Sequence, residues 1–249
     1  MALIHSLEKN GNFLFKYRGQ IPVLLFLFSI PVVISVDYTF LISNPKLEWG
    51  LLILCIVISL LGQIIRAIAI GTSNKHTSGR NTKEQVAEAL NTKGIYSAVR
   101  HPLYLGNYFM WLGIVVYTFS IWFSVAFSLF FWLYYERIMF AEERFLERKF
   151  GEDYLSWSLK VPPFIPSFKN YKKTDIPFSM KTILRREYSG ITATVIGFLF
   201  VAFLRNWNIY DKFIFETKHL VILVLALLIS LVLRSLKHYT KVLHEEDRS

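Results

Sequence analysis

In the stretch GIYSAVRHPLYLGNYFMWLG, residues 94 to 113, Arg100 and His101 stand side by side just before Pro102. Proline suits the first turn of a helix, where its missing N–H would have no partner anyway, so a helix is expected to start at Pro102. A helix N-terminus offers free N–H groups and a partial positive charge. A guanidinium and an imidazole just ahead of it build an anion-binding corner. The alternative is an interfacial Arg and His reaching for lipid headgroups. Glu142 and Glu143 form a second cluster, two adjacent carboxylates in a mostly basic segment. Such a pair can accept from ribose hydroxyls or from an ammonium group. It can also be a solvated face pairing locally with Arg144 or Lys149, which is worth little. The third candidate is Arg66, three residues after Gln63 and on the same helical face. A charge inside an apolar run is costly and marks function by default, unless the side chain snorkels from near the helix end.

These side chains must be carried by helices in a bilayer. The chain has 249 residues, 53% of them hydrophobic, with 22 Phe, 13 Tyr and 6 Trp. Its mean hydropathy is +0.39, and the apolar residues come in long blocks, as in an integral membrane protein. Spans are expected at Ile21–Ile42 (with Pro31 a candidate kink), Trp49–Ile70, Ser189–Leu204 and Leu220–Leu236. The 37 apolar residues from Tyr104 to Phe140 are too long for one span and suit two, joined by a tight turn at Thr118–Ser120. That hairpin would bring Arg100–His101 close to Glu142–Glu143. Between these blocks, Thr82 followed by KEQVAEAL reads as a short capped helix.

Charge sets the orientation. Lys9, Lys16 and Arg18, five basic residues between the second and third spans, and eleven between the fourth and fifth all fall on one side. Lys46, Arg205, Lys212 and Lys218 fall on the other. The positive-inside rule makes the first side cytoplasmic and places both termini there. The expected architecture is a single all-α membrane domain over residues 1–249, with about six transmembrane helices, a helical hairpin core and a cytoplasmic-facing site. In a prokaryote the location would be the inner membrane.

Other chemistries find no support. The net charge of +10 sits beside apolar spans, which points to a membrane surface rather than nucleic acid. The six histidines show no zinc spacing, so no metal site is expected. Cys55 stands alone in an apolar run and reads as a small buried hydrophobe. No nucleophile-elbow, Walker or dinucleotide-binding glycine pattern occurs.

Two motifs in order, RHPLYLG and EERFLERKFGEDYLSW, resemble the isoprenylcysteine carboxyl methyltransferase and phospholipid methyltransferase group of membrane methyltransferases. LGQIIRAIAIG, Leu61–Gly71, is similar to the glycine-and-arginine helix preceding that group's core. The resemblance covers roughly residues 60–168 and leaves two additional C-terminal helices, within 187–249, outside it. It implies S-adenosylmethionine as methyl donor at the cytoplasmic face, with contacts at Gly94, Tyr96, Arg100, His101, Pro102, Tyr104, Glu142 and Glu143. It implies a membrane lipid or lipid-linked acceptor, and leaves the oligomeric state open.

Methyl transfer needs alignment and dehydration more than acid–base chemistry, and an anionic acceptor needs no base. The positive charge of Arg66, Arg100 and Arg137 favours a carboxylate or phosphate oxygen over a lipid amine. Two other activities are weighed: a lipid amine N-methyltransferase, and an NADPH-dependent membrane reductase of the steroid reductase type. Against the latter, Leu103 replaces the asparagine of its RHPNY motif and Asn107 stands where its acid would be. A transporter or lipid-binding scaffold is the non-enzymatic alternative; a short hairpin and large one-sided polar loops count against it.

Overall fold

A computed structural model of the chain describes residues 2–73 and 85–245. Among them every regular element is helical: α1 (Leu3–Lys16), α2 (Ile21–Ser35), α3 (Thr39–Ile42), α4 (Pro45–Gly71), α5 (Pro102–Val116), α6 (Ile121–Phe150), α7 (Glu152–Ser158), α8 (Met180–Tyr210) and α9 (Thr217–Tyr239), with a 3₁₀ turn at Gly94–Ser97. Three of them, α4, α8 and α9, are long and apolar enough to cross a membrane by length and composition. The 15 residues of α2 and of α5 rise only about 22 Å at 1.5 Å each, short of a ~30 Å hydrocarbon core.

The expected first span, Ile21–Ile42, is broken. The chain leaves α2 at Val36 in an extended conformation. The Asp37 carboxylate then accepts from Thr39 N–H at 2.9 Å and from Thr39 Oγ1 at 2.6 Å, which starts α3 afresh. Pro31 lies inside α2, which continues through it to Ser35. The short helix expected after Thr82 is also corrected. Residues 82–84 lie outside the described part, and Gln85 to Leu90 is irregular. There the Gln85 amide donates to Asn12 Oδ1 at 3.2 Å and Ala87 is buried, so tertiary contacts override helix propensity.

The hairpin forms where the sequence places it. Phe119, at φ 58°, turns the chain, and Ser120 Oγ caps α6 by accepting from Phe123 N–H at 3.3 Å. α6 is then 30 residues long, about 45 Å, and overshoots α5 so that its charged second half stands clear of the apolar layer. Gly151, at φ +51°, ends it in a backbone conformation that strains other residues, and α7 turns away. Cys55 is fully buried.

The tightest helix contact is α4 on α5. A Cβ at Gly62 would lie 2.4 Å from Gly106 O, and one at Gly113 would lie 2.2 Å from Ser59 Oγ and 2.4 Å from Cys55 O. Ser59 Oγ donates to Met110 O at 2.7 Å across the same seam. Small residues let the two backbones touch, as membrane helices pack. Gly62→Ala should therefore force the helices apart and cost about 1–3 kcal/mol. Gly50→Ala, in the same helix with nothing within 4 Å, should not. Melting temperatures in detergent check this, and equal values for the two variants would count against the close contact.

Candidate active site

The 3₁₀ turn and the start of α5 are pinned from outside the hairpin. Arg100 N–H donates to Pro162 O at 2.9 Å, His101 N–H to Pro163 O at 3.2 Å, and Ser167 N–H to Ala98 O at 2.9 Å. The proline-rich segment after α7 thus clamps the RHP segment. Pro102 is the first helical residue and His101 the cap position. Because α6 overshoots α5, Glu142 and Glu143 come down beside that cap.

The two clusters meet. His101 Nε2 lies 2.9 Å from Glu143 Oε1 and its Nδ1 lies 3.6 Å from Glu142 Oε2. Tyr104 OH donates to Glu142 Oε1 at 2.7 Å, and Arg100 Nε lies 3.3 Å from Glu143 Oε1. Burial opposes the charged form of His101, but hydrogen bonds and charge from both glutamates outweigh it, and its pKa is raised above the usual histidine range. Burial likewise works against the Glu143 carboxylate, yet the His101 hydrogen bond, with the His101 and Arg100 charges, holds its pKa below the usual value. Tyr96, pushed up to about 12 by burial, stays neutral.

This corner opens on a cavity of about 560 Å³, within the range of small-molecule sites. Tyr96, Arg100, His101, Pro102, Tyr104, Glu142, Glu143 and Arg66 all line it. Two expected site residues do not. Arg137 sits on α6 where its backbone oxygen faces Gly11 of α1, at 2.1 Å from a Cβ placed there. Gly94 is buried under Thr174 at φ +61°, its N–H donating to Lys172 O at 2.8 Å. Its conformation shapes the turn, and it is not part of the wall.

Arg66 needs a different account from the one its position suggested. It is no open anion receptor. Its Nε and Nη2 each donate to Glu187 at 2.7 Å, and its Nη1 donates to Asn107 Oδ1 at 2.6 Å. Glu187 was missed, although an arginine buried at membrane depth demands a counter-charge and so asks for one. Also missed were Phe15 of α1, Arg18 and Gly19 just beyond it, the Gln85–Ala87 segment, and Arg186 and Gly190 of α8, all in the cavity wall.

The donor chemistry can be tested against this wall. Arg100 Nε is buried and makes no hydrogen bond of good geometry, its carboxylate neighbour Glu143 Oε1 standing 3.3 Å away. Its guanidinium can take a donor carboxylate, and Glu142 and Glu143 offer acceptors for hydroxyls and an ammonium. Trp157, held by its Nε1–H to Tyr96 O at 3.2 Å, adds an aromatic wall. The residues fit a zwitterionic nucleoside such as S-adenosylmethionine.

Residues 47–153 match the family model for phospholipid methyltransferase. Over these residues the chain is similar to that family. The chain is also similar to protein-S-isoprenylcysteine O-methyltransferases. It is 29% identical to that of Xenopus laevis over 55% of this chain and 48% of the relative. Identity is 35% to that of Schizosaccharomyces pombe, over 43% and 45%, and 31% to form A of Arabidopsis thaliana, over 51% and 64%. The aligned part spans about half the length of the first two relatives. No solved structure matches. The matched region thus holds α4 to α6, while α1, α2, α3, α8 and α9 lie outside it.

The paired titrations give a pH window. A raised histidine pKa contributes stability fully present below its ordinary value of 6.5 and lost as pH rises through the folded value. A lowered glutamate pKa contributes stability present above its ordinary 4.5 and lost as pH falls through the folded value. Melting temperature should therefore fall in the wild type as pH rises above about 6.5. His101→Gln should flatten that limb; an unchanged alkaline limb would mean His101 is not the titrating group.

Proposed function

We propose that this protein is an integral membrane methyltransferase that moves a methyl group from S-adenosylmethionine to an anionic, lipid-attached oxygen at the cytoplasmic interface. One observation carries the reading: a buried His101–Glu142–Glu143–Tyr104 corner in a single cavity with apolar helix residues such as Ile70, Met110 and Ala193. A charged, water-soluble donor and a lipid acceptor can meet only where such surfaces adjoin. The names of the relatives, which describe O-methyl transfer to isoprenylcysteine, support it.

The donor supplies an electrophilic methyl group. Glu142 and Glu143 hold its hydroxyls or ammonium, Arg100 its carboxylate, and Tyr96 and Trp157 its flank. His101 keeps the two carboxylates apart and oriented. His101 is engaged by both carboxylates, which favour its charged form, and Glu143 is engaged by His101, so neither is placed as a free base. An amine acceptor must first lose a proton, whereas a carboxylate or phosphate need not. That favours an oxygen acceptor. The apolar parts of α2, α5 and α6 complete six crossings, with both termini cytoplasmic.

Membranes given a labelled methyl donor test the acceptor. Label released as methanol by mild base identifies a carboxyl ester, and label stable in a phosphate-containing fragment identifies a phosphodiester. Label in a methylated ethanolamine headgroup would refute the oxygen acceptor. Glu142→Gln and Glu143→Gln should each weaken S-adenosylhomocysteine binding about tenfold in protein that still folds, read by calorimetry. Cysteines placed in 43–48 or 211–216 should react with an impermeant reagent from outside, and those in 85–93 should not. Outside labelling of 85–93 would invert the topology.

A further inference from the structure

The acceptor half of the cavity is built largely by a helix outside the family core. α8 starts well beyond residue 153, yet Glu187, Gly190 and Ala193 stand in the cavity wall. The donor corner comes from α5 and α6, so α8 supplies a separate wall.

Glu187 is the most enclosed carboxylate there, with its side chain 1% exposed against 18% for Arg66. It therefore backs the guanidinium at the cavity wall and is the less exposed of the two. Its two oxygens take Arg66 Nε and Nη2 at 2.7 Å each, and Gln63 Nε2 adds a bond at 3.2 Å. A two-point fork of this kind fixes the plane of the guanidinium. The third edge is fixed as well: Arg66 Nη1 donates to Asn107 Oδ1, and Asn107 Nδ2 donates to Tyr135 OH at 3.2 Å. Arg66 is thus held flat across α8, α4 and α5 and cancelled in charge. Buried pairs like this contribute orientation more than net stability. Beside the pair, a Cβ at Gly190 would meet Glu187 Oε2 at 3.7 Å and Met110 Cε at 3.8 Å. Both are ordinary contacts, so the space next to Arg66 is real and a larger side chain would fill it.

Resting on the methyl-transfer reading, we propose that α8 is the acceptor-positioning wall: Glu187 is a positioning residue that fixes Arg66, and Gly190 leaves the gap that admits the acceptor beside it. Acceptor selectivity then resides in a helix the family core does not contain.

The test uses full-length protein in detergent and three probes in calorimetry: S-adenosylhomocysteine, an S-isoprenylated N-acetylcysteine and lysophosphatidate. The amphiphile that the wild type binds identifies carboxylate or phosphate as the acceptor anion. Gly190→Leu and Glu187→Gln should each weaken that amphiphile about tenfold, in binding and in KM for transfer, with S-adenosylhomocysteine affinity held within about twofold. The charge-swapped pair Arg66→Glu with Glu187→Arg should regain melting temperature over the single variants but not acceptor affinity. Full recovery of acceptor affinity in the swapped pair would reduce Glu187 to a structural cross-link. Parallel loss of donor-analogue affinity, unchanged amphiphile binding in Gly190→Leu, or no amphiphile binding by the wild type also overturns the proposal. Failure of the wild type to bind S-adenosylhomocysteine sinks the methyl-transfer reading instead, and the amphiphile comparison still decides the role of α8. Should Glu187→Gln not fold, Gly190→Leu carries the result.

Discussion

Two ion pairs lock α4 to α8, and the rest of the molecule is arranged around them. Arg66 of α4 pairs with Glu187 of α8, and Arg205 of α8 pairs with Glu48 of α4 at 2.6 Å. In each helix the two charges stand 18 residues apart, glutamate first and arginine second. That requires antiparallel helices in one register, because a slip of a single residue would break both pairs at once. Eighteen residues rise about 27 Å, close to the hydrocarbon thickness of a bilayer. The charges therefore stand near the two faces of the apolar layer, where the desolvation cost of each is least.

The two ends of this lock serve different surroundings. At the Arg205 end the guanidinium lies over Tyr38, Tyr117 and Phe119, each 4.7–4.9 Å from its carbon. It binds the break between α2 and α3 to the α5–α6 turn, so cation–π contacts stand in for solvent. At the Arg66 end no such cage forms. There Gly106 admits the Arg66 side chain, whose Cγ lies 2.4 Å from where a Cβ would be. The arginine passes over α5 to reach Glu187 and Asn107. The same glycine contact that brings α4 and α5 together thus sets the wall of the cavity.

Local signals were legible in the sequence and distant partners were not. Pro102 marks a helix start, Thr118–Ser120 a turn, and a hairpin between them makes His101 and Glu143 neighbours by geometry alone. AEERFLERKF keeps helical spacing past the apolar block, which carries α6 beyond α5. Glu187 lies 121 residues from Arg66, and nothing local in LRREYSG tells which of its charges turns inward. Asp37 broke a span that hydropathy reads as continuous, because one side-chain turn weighs nothing in an average over apolar residues. Arg137 was placed in the site by its sign and its position after the fourth span. Its backbone packs instead on Gly11, a close approach that only the docked α1 reveals.

Charge balance decides what the cavity attracts. Its wall carries Arg18, Arg66, Arg100 and Arg186 against Glu142, Glu143 and Glu187, with His101 tending to its charged form. The Arg66–Glu187 pair cancels locally, because both oxygens of the carboxylate are engaged by one guanidinium. What remains is a corner that holds both signs, with His101 and Arg100 set against Glu142 and Glu143. A donor that brings both an ammonium and a carboxylate would find a partner for each there, which is the charge pattern the proposed methyl transfer needs.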